Sequence, residues 1–160
     1  MSTLVVSNIQ FPATQSASSG ANTLDDYEEG TFTATATVAG SSTTQSVSAG
    51  FYTKVGRICH VTFRCTFTSL GSGSGTLAIA LPFTASSDTW QSGALLHYGL
   101  NFSGSSGTIA ANQVYITPTA GAASAILATS FGGSTIQVAT GTQYLANNTD
   151  FMASLRYFTT

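Results

Sequence analysis

The sequence predicts an all-β fold: an antiparallel, jelly-roll-like β-sandwich of about eight strands with an extended N-terminal arm. Three observations lead there. Apolar and polar residues alternate with a period of two in one segment after another. Clusters of Gly, Ser, Thr and Asn interrupt these segments at short intervals. No stretch carries the 3.6-residue period of a long amphipathic helix, which also disfavours parallel βαβ units.

Residues 1–23 read as an arm, rich in small polar residues, with Phe11 as its large apolar anchor and Pro12 beside it. Residues 24–160 read as the folded domain. It opens on an acidic turn, Asp25, Asp26, Tyr27, Glu28 and Glu29, which holds four of the six acidic residues. A strand is expected at 31–38, with Phe32, Ala34, Ala36 and Val38 on one face and four threonines on the other. After a turn at 39–45, a second strand covers 47–53. Residues 54–56 are either a turn or a bulge at Gly56. The clearest strand is 57–68: Cys59, Val61, Phe63, Cys65 and Phe67 face inward, and His60, Thr62, Arg64 and Thr66 face outward. The Gly/Ser run 71–75 is a connector.

A strand follows at 76–83, with Leu77, Ile79, Leu81 and Phe83 inward and Pro82 marking a sheet edge. The polar loop 84–93 carries Asp88 and Trp90, the single tryptophan. Alternation resumes at 94–102, with Leu96, Tyr98, Leu100 and Phe102 expected inward. A strand at 108–117 is closed by Pro118. Shorter strands are expected at 125–131 and 135–139, with a short helix at 122–129 as the alternative because alanine favours it. A polar loop at 140–150, containing Tyr144, leads to the last strand at 151–158, with Phe151, Ala153, Leu155 and Tyr157 inward.

Composition narrows the function. At 160 residues the chain is one domain with room for a core. Only 6% of residues are charged, against about 25% in an ordinary soluble domain. Ser and Thr supply the missing polarity. Such a surface suits packing against copies of itself, because few large charges resist close approach. Four basic residues and a net charge of −2 argue against nucleic acid. No apolar run approaches the roughly 20 residues of a membrane span. The N-terminus lacks a positive charge before its short apolar run, so a secretory signal is not expected and assembly in a cytoplasm is. Cys59 and Cys65 lie about 20 Å apart if both sit in one strand, too far for a disulfide, so buried thiols are expected.

Candidate chemistry is sparse. Glycoside cleavage needs two carboxylates about 5–10 Å apart across a sugar. The acidic cluster is contiguous on a turn, and Asp88 and Asp150 stand alone. An oxygen-rich turn could attract calcium, but the spacing matches no calcium loop. No nucleophile elbow or phosphate loop is present. His60 and His97 read as surface or interface residues. Trp90 either presents its indole to a sugar or protein partner or folds back on the end of the sandwich. No catalytic, metal or cofactor residue is assigned.

The segment FPATQSASSGANTLDDYEEGTFTATATV resembles the "FPATQ…NTLDDYEEGTWTP" segment of small tailed-bacteriophage virion proteins and tail-fibre or tailspike modules. SAGFYTKVGRICHVTFRCTF resembles their companion Y-T-K-x-G turn and strand, and TLAIALPF their I-x-L-P-F strand end. The matches cover about half the chain in the same order. Phe32-Thr33-Ala34 stands where the family has Trp-Thr-Pro, and residues from about 93 onward match no pattern of that family.

The resemblance implies a non-enzymatic structural protein of the virion, assembled in the host cytoplasm. It implies a homotrimeric fibre- or spike-type head for host attachment, or alternatively a capsid decoration or head-fibre protein docked through Phe11 and Pro12 of the arm. A glycan depolymerase is the least favoured reading. Expected partners are copies of the chain, other virion proteins, and a host surface glycan or protein met by Asp88, Trp90 and Tyr144. The acidic cluster reads as the junction between arm and domain, solvated or paired with Lys54, Arg57 or a neighbouring subunit.

Overall fold

The computed structural model describes residues 6–8, 10, 26–72, 75–87, 91–98, 113–131, 135–138 and 148–160. Phe11, Pro12, Asp25, Asp88, Trp90 and Tyr144 lie outside these residues, as does most of the 1–23 arm.

The described chain is all-β and consists of two antiparallel sheets packed together as a sandwich. Its strands are β1 (Tyr27–Phe32), β2 (Ala36–Val38), β3 (Ser41–Ser42), β4 (Thr44–Val55), β5 (Ile58–Ser69), β6 (Leu77–Ala80), β7 (Ala94–Tyr98), β8 (Gln113–Pro118), β9 (Ser124–Phe131), β10 (Thr135–Val138) and β11 (Asp150–Phe158). One sheet has the order β1-β4-β5-β11-β7. In the other, β3, β2, β6 and β9 are successive neighbours. One edge of β9 is taken by β8 over its length; β6 pairs with its first half and β10 with its second.

Alternation places the core between the sheets. Cys59, Val61, Phe63, Cys65 and Phe67 from β5 meet Phe151, Ala153, Leu155 and Tyr157 from β11 on one side. Val38, Leu77, Ile79, Ile116, Ala125 and Leu127 oppose them from the other sheet. Phe63 and Phe67 both contact the Phe151 ring, at centroid distances of 6.3 and 5.7 Å. Both cysteines are buried free thiols, and burial pushes Cys65 up to about 12. Residues 124–131 form a strand, not the alternative helix: β8, β6 and β10 all pair with that segment, and tertiary pairing overrides the helix preference of alanine. Gly56 settles the 54–56 ambiguity. It has φ +55° and opens a two-residue hairpin turn between Val55 and Ile58, a position reserved for glycine.

The expected strand 31–38 is two strands in two sheets. The inward face runs on unbroken through Phe32, Ala34, Ala36 and Val38, but β1 ends at Phe32 and β2 begins at Ala36 in the opposite sheet. Crossing between sheets strips the backbone at 33–35 of ladder partners, so other groups must satisfy it. Thr35 N–H donates to the Thr33 carbonyl, and the Gln45 side chain ties the crossing on both sides. Its Nε2 donates to the Ala34 carbonyl at 3.1 Å, and its Oε1 accepts from the Ala36 N–H at 2.9 Å. The register shifts in β4 between Thr44, Gln45 and Val47 give the strand the irregularity that accompanies this inward reach. Thr43 Oγ1 donates to the Ala36 carbonyl and the Cys65 thiol to that of Ala34. The Thr35 carbonyl accepts from Ala80 N–H.

Two further expectations change. Pro82 lies beyond β6, which is an interior strand between β2 and β9, so it ends the strand rather than marking a sheet edge. In β7 the phase is shifted by one residue: Leu95 packs against the core, while Leu96 is 67% exposed on the outer face. A leucine at both positions lets either phase read as inward. The pairing of Ala94 with Ser154 and Leu96 with Met152 decides it.

Gln45→Met keeps the side-chain length but strands the Ala36 N–H and leaves the Ala34 carbonyl only the Cys65 thiol. It should lower unfolding free energy by about 2 kcal/mol, read as a drop in denaturant midpoint at unchanged slope.

Candidate functional site

Glu28 and Glu29 lie in β1, at the edge of its sheet, rather than in a turn preceding it, and Asp26 immediately precedes the strand. Its partner is the segment around Lys54: Glu28 pairs with Lys54, Glu29 with Thr53, Gly30 with Tyr52, Thr31 with Phe51 and Phe32 with Gly50. Tyr27–Phe32 and Gly50–Val55 therefore form one antiparallel ladder. Its inner face carries a reciprocal fit. The Phe32 ring covers Gly50 and the Tyr52 ring covers Gly30, each so closely that a Cβ on the glycine would collide with the ring. Aromatic cover over a glycine across a strand pair fixes register, because a one-residue slip sends each ring to the wrong face.

Alternation then divides the carboxylates. Asp26, just before β1, forms an ion pair with Lys54, and both side chains are largely buried. The Asp26 carbonyl accepts from Gly56 N–H at 2.6 Å, tying the start of β1 to the hairpin turn. Glu28 Oε1 accepts from Tyr52 Oη at 2.6 Å. This bond, with burial, pushes the Tyr52 phenol up to about 12. Glu29 faces outward and accepts from Tyr27 Oη at 2.8 Å; the Tyr27 pKa is raised by that bond. Lys54 Nζ also lies 5.5 Å from the centre of the Phe83 ring, which meets Tyr52 edge-on at 5.1 Å. Phe83 in turn is held at its backbone by Tyr157 Oη, which donates to the Phe83 carbonyl.

Of the expected cluster, the structure thus brings Asp26, Tyr27, Glu28 and Glu29 together with Lys54 and Tyr52. Asp26 is committed to Lys54 as expected, whereas Arg57 forms no ion pair among the described residues. No group of three or more His, Cys, Asp and Glu is placed to hold a metal among the described residues.

Across the outer face, Asp150 receives Arg64 Nε at 3.1 Å, Arg64 Nη2 at 2.6 Å and Thr66 Oγ1 at 3.0 Å. The Arg64 guanidinium, aided by Thr66, holds the Asp150 carboxyl below its usual range. His60 lies on the same face, its Nε2 2.9 Å from Ser154 Oγ. A small open cavity of about 290 Å³ is lined by Ile58, Gln91, Ser92, Arg156, Tyr157 and Phe158.

Sequence reasoning passed over the apolar content of this face: Phe51, Val55, Ile58, Leu96, Met152 and Phe158 are all exposed there. The signal was present in β4, β5 and β11, where outward positions carry large apolar residues among threonines, but it emerges only once the strands are aligned.

No protein-family model, curated protein or solved structure matches the chain.

Lys54→Met would leave the Asp26 carboxylate without its cation in a half-dry site. Stability should fall by about 1–2 kcal/mol at pH 7, and the double variant with Asp26→Asn should recover part of the loss.

The depressed Asp150 pKa stabilises the fold above the unfolded-state value of about 3.9. That contribution is lost as pH falls through the lower folded-state value. Asp150→Asn should therefore flatten the acid limb of a stability–pH curve between about pH 5 and 2; an unchanged limb would exclude the pair as a source of acid sensitivity.

Proposed function

We propose that this chain is a non-enzymatic structural component of the surface of a tailed-bacteriophage virion, a fibre- or spike-type head that contacts the host. One observation carries the reading. Parts of two of the three segments that resemble the phage proteins, Tyr27–Phe32 and Gly50–Val55, are register partners in a single ladder. That pairing supports reading them as one unit, with acids, aromatics and glycines in interlocking positions, rather than as separate similarities.

The chemistry of the ladder agrees. Asp26 and Glu28 are taken up by Lys54 and Tyr52, so they serve the fold rather than a substrate. The exposed surface is rich in hydroxyls and poor in charge, which suits close packing within a particle and contact with glycan or protein. Proposed partners are further copies of the chain, other virion proteins and a host surface glycan or protein. Trp90, with Asp88 and Tyr144, is the proposed host contact.

Antibodies to the purified protein should label intact virions of the phage that encodes it, and the purified protein should compete with those virions for adsorption to host cells. Trp90→Ala should reduce that competition several-fold. Absence of the chain from purified virions would overturn the proposal. Labelling confined to the capsid, with no competition, would replace host attachment by capsid decoration. Deletion of residues 2–20 should in that case release the protein from the particle.

A further inference from the structure

Seven of the eight large hydrophobic residues that are exposed among the described residues share one surface, the outer face of the β1-β4-β5-β11-β7 sheet. The ladder registers arrange this face in rows across the strands. Tyr27, Val55, Ile58 and Phe158 form a first row without charge, polar only at the Tyr27 hydroxyl, which bonds Glu29. The second is Glu29, Thr53, His60 and Arg156, and the third Thr31, Phe51, Thr62 and Ser154. Ala49, Arg64, Met152 and Leu96 form the fourth.

The second row is acidic at one end and basic at the other. Neither Glu29 nor Arg156 forms an ion pair among the described residues. They are three strands apart, about 14 Å, too far to meet within one chain. Arg64, by contrast, already holds Asp150.

We propose that a second copy of this chain packs on this face, across a two-fold axis that runs parallel to the strands and between β4 and β5. Such an axis lays each row on its own reverse. Tyr27 then faces the partner's Phe158, and Val55 the partner's Ile58, so the first row buries itself. Glu29 faces the partner's Arg156, which gives two equivalent ion pairs per dimer, and Thr53 faces the partner's His60. A two-fold axis across the strands would instead set Ile58 against Arg64 and leave Glu29 and Arg156 facing Thr31 and Ser154. Charge complementarity therefore selects the first arrangement. It is the aligned packing that sheets adopt face to face.

The patch measures about 15 Å by 20 Å, roughly 300 Å² on each copy and below the size of stable specific interfaces, so the dimer is a weak one that should dissociate on dilution. A self-complementary face joins copies in pairs, unlike the heterologous contacts of the homotrimer implied by the phage resemblance. The inference rests on the fold alone, so its failure and that of the virion assignment are separable.

The test is sedimentation equilibrium of the full chain from about 1 to 100 µM. The expected result is a reversible species of twice the 16.4 kDa chain mass. Glu29→Arg and Arg156→Glu should each weaken dimerisation at least about tenfold. The double variant should restore it, since the swap rebuilds the same pairs. Ile58→Lys should abolish it without rescue. Circular dichroism of each variant checks that it is folded. A monomer at 100 µM, a trimer, or a dimer indifferent to the single charge reversals would overturn the proposal. So would a folded double variant that fails to reassociate.

Discussion

The fold depends on carrying one strand out of one sheet and into the other without leaving its backbone unsatisfied in the core. Ala34 and Ala36 are completely buried at this crossing. Their peptide groups are far from water, where an unpaired donor or acceptor costs about 1–3 kcal/mol. The amide of Gln45 stands in for a missing neighbouring strand, one end accepting and the other donating. Because the crossing preserves the two-residue alternation, Phe32, at the edge of one sheet, and Val38, inside the other, face the same core. One continuous run of inward residues thus links the two sheets that enclose the core.

The same economy governs the charges. With so few ionisable groups, most of those described have an identifiable structural partner. Asp26 holds Lys54, Glu28 holds the Tyr52 phenol, and Asp150 holds Arg64. Hydroxyls do the remaining polar work. Threonine and serine supply the outward positions of long strands and, at Thr43, Thr66 and Ser154, bond to backbone or side-chain groups. Each is small enough to leave the sheet face nearly flat. On that face the large apolar side chains stand above their neighbours, and this relief makes it a surface fitted to another sheet.

Legibility followed from how local each signal was. Strands β5 and β11 were plain in the sequence because every second residue is large and apolar over their full length. Leu77, Ile79 and Leu81 were read correctly for the same reason. The β7 segment was misread because adjacent leucines, Leu95 and Leu96, satisfy both phases, and only pairing with β11 breaks the tie. The acidic cluster suggested a turn because four carboxylates with a single tyrosine among them are poor strand formers. Pairing with Lys54 and Thr53 and the Tyr52 bond to Glu28 hold its second half, Glu28 and Glu29, as strand nonetheless. The part of Gln45 had almost no sequence signal; it is one glutamine in a run of hydroxyl residues, and its partners lie nine and eleven positions earlier.

By itself the sequence determined that this protein is all-β and which side chains of its best strands turn inward, because alternation on a pleated strand is a property of the chain's own geometry. It did not determine that Tyr27–Phe32 pairs with Gly50–Val55, that 31–38 divides between sheets, or that the apolar residues pointing away from the core fall into aligned rows. Only the tertiary structure decided these. Many alternating strands are interchangeable as neighbours when judged by alternation alone. Contacts between distant positions select one arrangement: the Phe32 ring over Gly50, Lys54 against Asp26, and the Gln45 amide at the crossing.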